Sequence, residues 1–337
     1  MTRLRATETA EFFDLDGTCN HLDIQAILDG HQGSPEVTVY LAAAADFLLR
    51  EIPQLPHTSE ELLNLFKEQL RNDVFPKRSQ HQWWATFPSV QREMVPICPA
   101  VDHYLLTPHA IRRVLEKEVQ RAAVSTTLQW TITTFLSSGH WEYSLFKFCS
   151  EASLPHATIE EDAIAIFENR LCKNALVSIF TNSATQKART MAEKAGFGSY
   201  LIEDHFERGK LAIIGDGKKF MVDREWPQEC KPKEMRFGDT VDLSRYFGEK
   251  DAIVDLRRRP FYERIKTLMH ECGAKRSWMV SDIATLDLFP FANWLEFEPR
   301  VAMRTNPTSS PEEVLAAREL LNATIGKNLP EITMDLE

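Results

Sequence analysis

No stretch of the sequence is both apolar and long enough to cross a membrane. The most apolar run, residues 37–49, is about 13 residues long and contains Asp46, whereas a membrane-spanning helix needs about 20 apolar residues. Residues 1–11 are charged and hold no apolar segment of the kind found in a secretory signal. These two absences lead us to expect a soluble, cytoplasmic protein with no membrane partner.

Basic charge and paired cysteines are also scarce. The 39 Lys and Arg residues are outnumbered by 49 Asp and Glu, which gives a formal net charge of −10. Proteins that coat nucleic acid need excess Lys and Arg, so this balance disfavours a nucleic-acid partner but allows a small anionic substrate. The six cysteines lie far apart, with no C-x-x-C pair. That spacing gives no zinc signature and no disulfide framework.

The pattern of helical and strand-like segments changes along the chain. Residues 8–13 form a short strand-like segment, and residues 20–155 then carry helical patterns with aromatic-rich pieces between them. From about residue 159, helical and strand-like segments alternate, which predicts an α/β domain with a parallel sheet. Within it, residues 198–257 predict a β-rich excursion, because short apolar runs there are broken by Gly and Asp. Residues 307–337 predict one helix and a polar tail.

Helix signals are found in both parts of the chain. Four segments carry a capping residue followed by proline, or the capping-box spacing: Ser34-Pro35, Thr107-Pro108, Thr58 with Glu61, and Thr158 with Glu161. The threonine-rich residues 123–137 suit a strand as well as a helix. One apolar face predicts a helix that ends at Gly196. The residues of this face are Ala184, Ala188, Met191, Ala192 and Ala195.

Two carboxylates separated by one residue follow the first predicted strand, in the string F-F-D-L-D-G-T. Side chains of an extended segment alternate, so Asp14 and Asp16 emerge on the same side at the carboxyl end of the strand. Gly17 lets the chain leave at an angle that other residues resist. Such a pair can hold a hard cation, attack phosphorus and carry a proton to a leaving group. A solvated Asp-Gly turn is the simpler alternative.

This string resembles the first motif, D-x-D-x-[TV], of the haloacid-dehalogenase-like hydrolase superfamily. A calcium loop fits less well, because Cys19 and Gln25 stand where that loop needs Gly and Glu. The resemblance implies that Asp14 is the nucleophile and that Asp16 is the general acid and base. It also implies that Thr18 helps to bind the phosphate.

The second motif of the superfamily is a hydrophobic strand that ends in Thr or Ser. The segment L-V-S-I-F-T-N, ending at Thr181 and Asn182, is similar to it. The resemblance implies that the Thr181 hydroxyl hydrogen-bonds the transferring phosphoryl group and that Asn182 assists. Since many strands end in Thr, a helix N-cap is the alternative.

The fourth motif is an apolar strand that ends in acidic residues, often G-D-x-x-x-x-D. The segment W-M-V-S-D-I-A-T-L-D fits this pattern, with Ser281 in place of the usual Gly. The resemblance implies that Asp282 is a metal ligand and that Asp287 is an auxiliary ligand. An N-cap Asp that opens the next helix is the alternative.

The third motif is where the sequence departs from the superfamily. A Lys, often followed by Pro, normally precedes the helix that leads to the fourth motif, but this chain has Arg259-Pro260 there. Arg can neutralise a phosphoryl group but is bulkier than the point charge of Lys. Lys218 and Lys219 are competing candidates, and Arg259 is preferred.

The resemblance implies a fold and a set of domain boundaries. It predicts a Rossmann-like α/β core with a parallel sheet, formed by residues 1–19 and 156–306. A large, mainly helical cap, residues 20–155, would be inserted after the first strand.

The function implied is hydrolysis of a small phosphomonoester through an aspartyl-phosphate. Mg²⁺ would be held by Asp14, Asp282 and the backbone carbonyl of Asp16. Because Asp16 is present, a phosphatase is preferred over a dehalogenase. Two alternatives stay open: a phosphate-binding or regulatory protein on a decayed scaffold, and a phosphotransferase. The sequence does not indicate the substrate or the oligomeric state.

Overall fold

The chain divides into two compact units. One consists of residues 1–21, 79–82 and 158–337, and the other of residues 22–78 and 83–157. The computed structural model describes residues 8–20, 30, 33–74, 106–121, 124–138, 141–181, 185–215, 234–236, 253–255, 259–282, 284–295, 297–306, 309 and 311–334. In that part of the chain, every helix is too short or too polar to span a membrane.

The described residues of the first unit form nine strands. They are β1 (Thr9–Asp14), β2 (Leu176–Thr181), β3 (Leu201–Glu203), β4 (Leu211–Gly215), β5 (Glu234–Arg236), β6 (Ile253–Asp255), β7 (Arg276–Ser281), β8 (Pro299–Arg304) and β9 (Thr324–Gly326). Seven of them form one sheet with the order β3-β4-β2-β1-β7-β8-β9. Every pairing in this sheet is parallel. The result is a Rossmann-like α/β fold, as the alternation of segments predicted.

The second unit is helical in its described residues. Its helices are α1 (Pro35–Glu51), α2 (Ser59–Gln69), α3 (Leu106–Gln120), α4 (Thr126–Ser137) and α5 (Trp141–Ser153). Proline occupies the first turn of α1, and Thr58 with Glu61 forms the complete capping box of α2. Both helix starts were predicted. The undecided threonine-rich segment is the helix α4, in which Thr131 and Thr133 bond back to carbonyls four residues earlier.

The first unit also contains six α-helices in its described residues. They are α6 (Glu161–Cys172), α7 (Thr185–Lys194), α8 (Arg259–Glu271), α9 (Phe289–Trp294), α10 (Pro311–Leu321) and α11 (Leu329–Thr333). A π-helical turn, Ala284–Leu288, precedes α9. Gly196 has a φ of +91° just after α7, as expected of a residue that ends a helix.

Three local expectations need correction. The N-cap of α6 is Glu160 rather than Thr158, and α3 begins at Leu106, before Thr107-Pro108. Among the described residues of 198–257, β3 and β4 join the main sheet, and β5 and β6 pair antiparallel in a separate sheet. After residue 307 the chain forms α10, β9 and α11, not one helix and a tail. These differences arise because strand pairing and packing are not visible in local patterns.

Strand β1 lies at the centre of the main sheet because apolar side chains cover both of its faces. The Phe12 ring meets Phe206 and Phe291 edge-on at 5.4 and 5.3 Å. The neighbouring Phe13 ring points the other way and meets Phe167 and Trp278 at 5.2 and 5.3 Å. Strand β1 is thus buried on both faces, although Glu11 interrupts its apolar residues.

The order of the strands locates a crevice. From β1 the chain moves to β2 and β4 on one side, and β7, β8 and β9 are then added on the other side of β1. The direction of winding therefore reverses between β1 and β7. In open parallel sheets, ligands bind outside the carboxyl ends of the strands at such a reversal.

Candidate active site

Three buried carboxylates lie at the carboxyl edge of the sheet, beside this reversal. Asp14 is the last residue of β1, and Asp282 directly follows β7. The two strands are neighbours in register, with Phe13 opposite Val280. Asp287 is in the π-helical turn that follows β7, and such turns are frequent at functional sites. The three side chains are between 0% and 4% exposed.

The carboxyl group of Asp14 is surrounded by negative charge. Burial raises its pKa well above the usual value, and the charges of Asp287, Asp282 and Asp16 raise the pKa further. One hydrogen bond from the Leu15 backbone acts in the opposite direction. A cluster of this kind is unfavourable as bare anions and is stabilised by a proton or a cation.

Gly17 allows the loop after β1 to lie against Asp282. Its φ is +84°, and a Cβ atom at this position would be 2.2 Å from Asp282 Oδ2. Both the backbone conformation and the lack of space require glycine here. The next residue, Thr18, donates from Oγ1 to Asp14 Oδ2 at 3.4 Å. The loop thus brings the predicted Asp14, Thr18 and Asp282 together.

Asp16 has a cationic partner that the sequence did not reveal. Lys187 Nζ lies 2.6 Å from Asp16 Oδ1, and both side chains are 10% exposed. Asn20 Nδ2 donates to the same oxygen at 3.3 Å. Lys187 is in the first turn of α7, directly after the strand that carries Thr181. A signal was present, because Lys187 stands four residues before Met191, on the otherwise apolar face of the predicted helix.

Ser281, which the sequence has in place of the Gly of the motif it resembles, has a structural role. Ser281 is fully buried, and its hydroxyl donates to Asp287 Oδ2 at 2.8 Å. Tyr262 on α8 donates to the backbone carbonyl of Asp287 at 3.4 Å. The serine therefore holds the second carboxylate of the acidic motif in place.

The remaining predicted residues are only partly described. Thr181 is buried at the end of β2, one residue beyond Phe180, which lies opposite Asp14. Arg259 is the first residue of α8, but its side chain lies outside the described part of the chain. Asn182, Lys218 and Lys219 lie entirely outside it. Their assignments stay predictions.

The donor set suits a hard divalent cation such as Mg²⁺. Carboxylate and carbonyl oxygens are the protein ligands this ion prefers, usually one or two carboxylates with water and substrate oxygens. Asp14 and Asp282 provide two carboxylates, and the glycine between them keeps the space clear of a side chain. Among the described residues, no three His, Cys, Asp or Glu side chains converge as a complete metal cage.

No protein-family model and no curated protein matches the chain.

Proposed function

We propose that the protein is a Mg²⁺-dependent phosphohydrolase of the haloacid-dehalogenase-like type, acting on a small phosphomonoester. The observation that carries the proposal is the placement of Asp14, Asp282 and Asp287 at the winding reversal of a parallel sheet. The close approach that Gly17 permits adds to it. Neutral structural residues would suffice if this edge of the sheet had only to fold.

Asp14 is the nucleophile in this proposal. A carboxylate oxygen of Asp14 bonds to phosphorus as the bond from phosphorus to the ester oxygen breaks, which leaves an aspartyl-phosphate. The leaving oxygen takes a proton from Asp16. Water then attacks the aspartyl-phosphate, Asp16 accepts a proton from that water, and inorganic phosphate and free Asp14 result. Thr181 and Thr18 offer hydroxyl groups to the phosphoryl oxygens.

A bound Mg²⁺ would be held by Asp14, Asp282 and the backbone carbonyl of Asp16, and would offset negative charge on the phosphoryl oxygens. Asp287, held by Ser281, would support this set.

A second positive charge is needed beside the phosphoryl group. Arg259 was predicted for this role, with Lys218 and Lys219 as competitors. Lys187 joins these candidates, because its ammonium group is held 2.6 Å from Asp16 in a setting that is nearly closed to solvent. An ammonium group at this position can contact the phosphoryl oxygens while staying close to Asp16.

The proposal is tested by phosphate release from a panel of phosphomonoesters, with Mg²⁺ or with a chelator. We expect turnover that the chelator removes, and a loss of at least about a thousandfold in Asp14→Asn. A folded wild-type protein that binds Mg²⁺ and phosphate but releases none would contradict the proposal and favour the phosphate-binding alternative. Comparing Lys187→Met with Arg259→Met assigns the cation, since the acting residue shows the larger rise in KM.

The same assay separates hydrolysis from phosphotransfer. Addition of alcohol acceptors leaves the yield of inorganic phosphate per substrate consumed unchanged for a hydrolase. A phosphotransferase instead transfers the phosphoryl group to the alcohol, and the yield of inorganic phosphate falls.

A further inference from the structure

Strand β8 reaches the acidic site although no predicted site residue lies on it. It is separated from β1 by β7. At its carboxyl end, however, Arg304 and Asn306 extend toward the two acidic loops, one toward each. Arg304 is the last residue of the strand and is 7% exposed.

Both the nitrogen and the oxygen of the Asn306 side-chain amide form hydrogen bonds. Its Nδ2 donates to Asp282 Oδ2 at 2.9 Å. The Ser309 hydroxyl donates to Asn306 Oδ1 at 3.3 Å and accepts from the Asn306 backbone N–H at 2.9 Å. The serine thereby selects which end of the amide faces Asp282. Because Oδ2 of Asp282 is fixed against Asn306 and Gly17, the direction of Oδ1 is fixed as well.

Arg304 holds the loop that follows the nucleophile. Its Nη1 donates to the Thr18 carbonyl, its Nη2 to Glu160 Oε2 at 2.7 Å, and its Nε to the Lys327 carbonyl at 3.1 Å. The planar guanidinium group fixes these three directions at once. Thr18 is the residue whose hydroxyl faces Asp14. The side chain of Arg304 therefore acts on the nucleophile through the Thr18 backbone.

We propose that the carboxyl end of β8 is the positioning element of the acidic site: Asn306 orients Asp282, and Arg304 fixes the loop beside Asp14. The affinity for a divalent cation then depends on two residues that are not ligands themselves. The inference rests on the proposed function in one respect, which is that a divalent cation binds at Asp14 and Asp282. Loss of residues that orient metal ligands typically weakens metal binding by about 10- to 100-fold.

Direct metal binding tests the inference without reference to turnover. Calorimetric titration with Mg²⁺ and electron paramagnetic resonance with Mn²⁺ are carried out on the wild type and on Asn306→Leu, which keeps the side-chain volume but removes the donor. Asn328→Leu is the matched control, because Asn328 Nδ2 bonds only an exposed carboxylate, that of Glu331, in an interaction 3.1 Å long. Thermal unfolding of each metal-free protein reports the fold.

We expect Asn306→Leu to raise the dissociation constant for both ions by about tenfold or more, with Asn328→Leu unchanged. Equal affinity in Asn306→Leu and wild type would overturn the positioning role of Asn306 and leave the proposed function intact. A wild type that binds neither ion would overturn both, so the two failures are distinguishable. If Asn306→Leu unfolds, Ser309→Ala replaces it: removal of the bond that selects the amide orientation weakens binding in the same direction, and unchanged affinity overturns the inference.

Arg304→Lys tests the second half of the inference. Lysine keeps the charge but cannot reach three acceptors in fixed directions. We expect weaker binding of Mg²⁺ in this variant too, and an affinity equal to that of the wild type would remove Arg304 from the positioning element.

Discussion

Glu11 and Asp14 are two buried carboxyl groups on the same strand, β1, and their surroundings are opposite. Glu11 accepts a hydrogen bond 2.8 Å long from Arg170 Nε, and this ion pair is nearly closed to solvent. Asp14 lies among the charges of Asp287, Asp282 and Asp16. The two side chains leave β1 on opposite faces of the sheet, because their positions differ by an odd number of residues.

Burial raises the pKa of both carboxyl groups, and the neighbouring charges then shift the two pKa values in opposite directions. It raises the pKa of Glu11, while the charge and hydrogen bond of Arg170 lower that pKa again. It raises the pKa of Asp14, and the neighbouring carboxylates raise that pKa further. The charge of a buried acid that has a cation beside it is balanced within the fold. The charge of a buried acid among other acids is balanced only by a proton or a bound cation, and this distinguishes the site from the core.

The largest expected effect comes from breaking the internal pair. Arg170→Met leaves the Glu11 carboxylate buried without its cation, which should lower the free energy of unfolding by about 3–5 kcal/mol. Urea denaturation measures this value. The control is Arg276→Met, which breaks a 3.0 Å pair with Glu298, whose side chain is 74% exposed. It should cost under about 1 kcal/mol. Equal losses in the two variants would show that the Glu11 pair does not support the fold.

The next effect concerns the loop that brings Asp14 toward Asp282. In Gly17→Ala the backbone strain of a positive φ costs about 1–2 kcal/mol, and the collision with Asp282 adds about 1–3 kcal/mol. Gly273→Ala is the matched control, because Gly273 has a φ of +70° and no atom within 4 Å of an added Cβ. It should show the strain alone, and it should leave Mg²⁺ affinity unchanged while Gly17→Ala reduces it. Equal destabilisation by the two substitutions would mean that Asp282 can move away at no cost.

The sequence predicted those parts of the structure that depend on near neighbours. Alternation placed Asp14 at the end of a strand, and the spacing of Thr58 and Glu61 predicted a helix start that the structure confirms. The sequence did not predict Lys187 as the partner of Asp16, 171 residues away in the chain, or Arg304 as the partner of Thr18, 286 residues away. Those contacts depend on the order of the strands in the sheet. Even a cation on an otherwise apolar helical face, such as Lys187, does not show along the chain which distant carboxylate it pairs with.

Residue 160 shows that distant contacts also limit the prediction of where a helix starts. Thr158 and Glu161 have the capping-box spacing, but the helix starts one residue after Glu160. Glu160 is fixed by two contacts with distant residues, from its N–H to the Cys19 carbonyl at 2.9 Å and from its carboxylate to Arg304 at 2.7 Å. These tertiary contacts override a local preference worth about 1 kcal/mol.

The smallest expected effect separates the two acids of β1 most directly. Asp14→Asn replaces an acid that folding forces either to take up a proton or to be charged among other carboxylates, so in the presence of a chelator it should raise the free energy of unfolding at neutral pH. Glu11→Gln should lower it, because Arg170 keeps a hydrogen-bond acceptor but loses the opposite charge. The folded-state pKa of Asp14 lies above the ordinary 3.8, so between those two pKa values the folded protein holds a proton that the unfolded chain has lost. The stability of the wild type therefore falls as pH rises through that window.

The Asp14→Asn variant has no such titration at this position, so its advantage should be absent below the ordinary pKa of Asp and should grow as pH rises. Urea denaturation of wild type and Asp14→Asn across that range measures the difference. Saturating Mg²⁺ should reverse the order, since only the wild type keeps the full set of ligands and is stabilised by binding. An advantage of Asp14→Asn that did not change with pH would show that the neighbouring carboxylates do not govern Asp14. A wild type left unaffected by Mg²⁺ would show that the site does not use this ion to balance its charge.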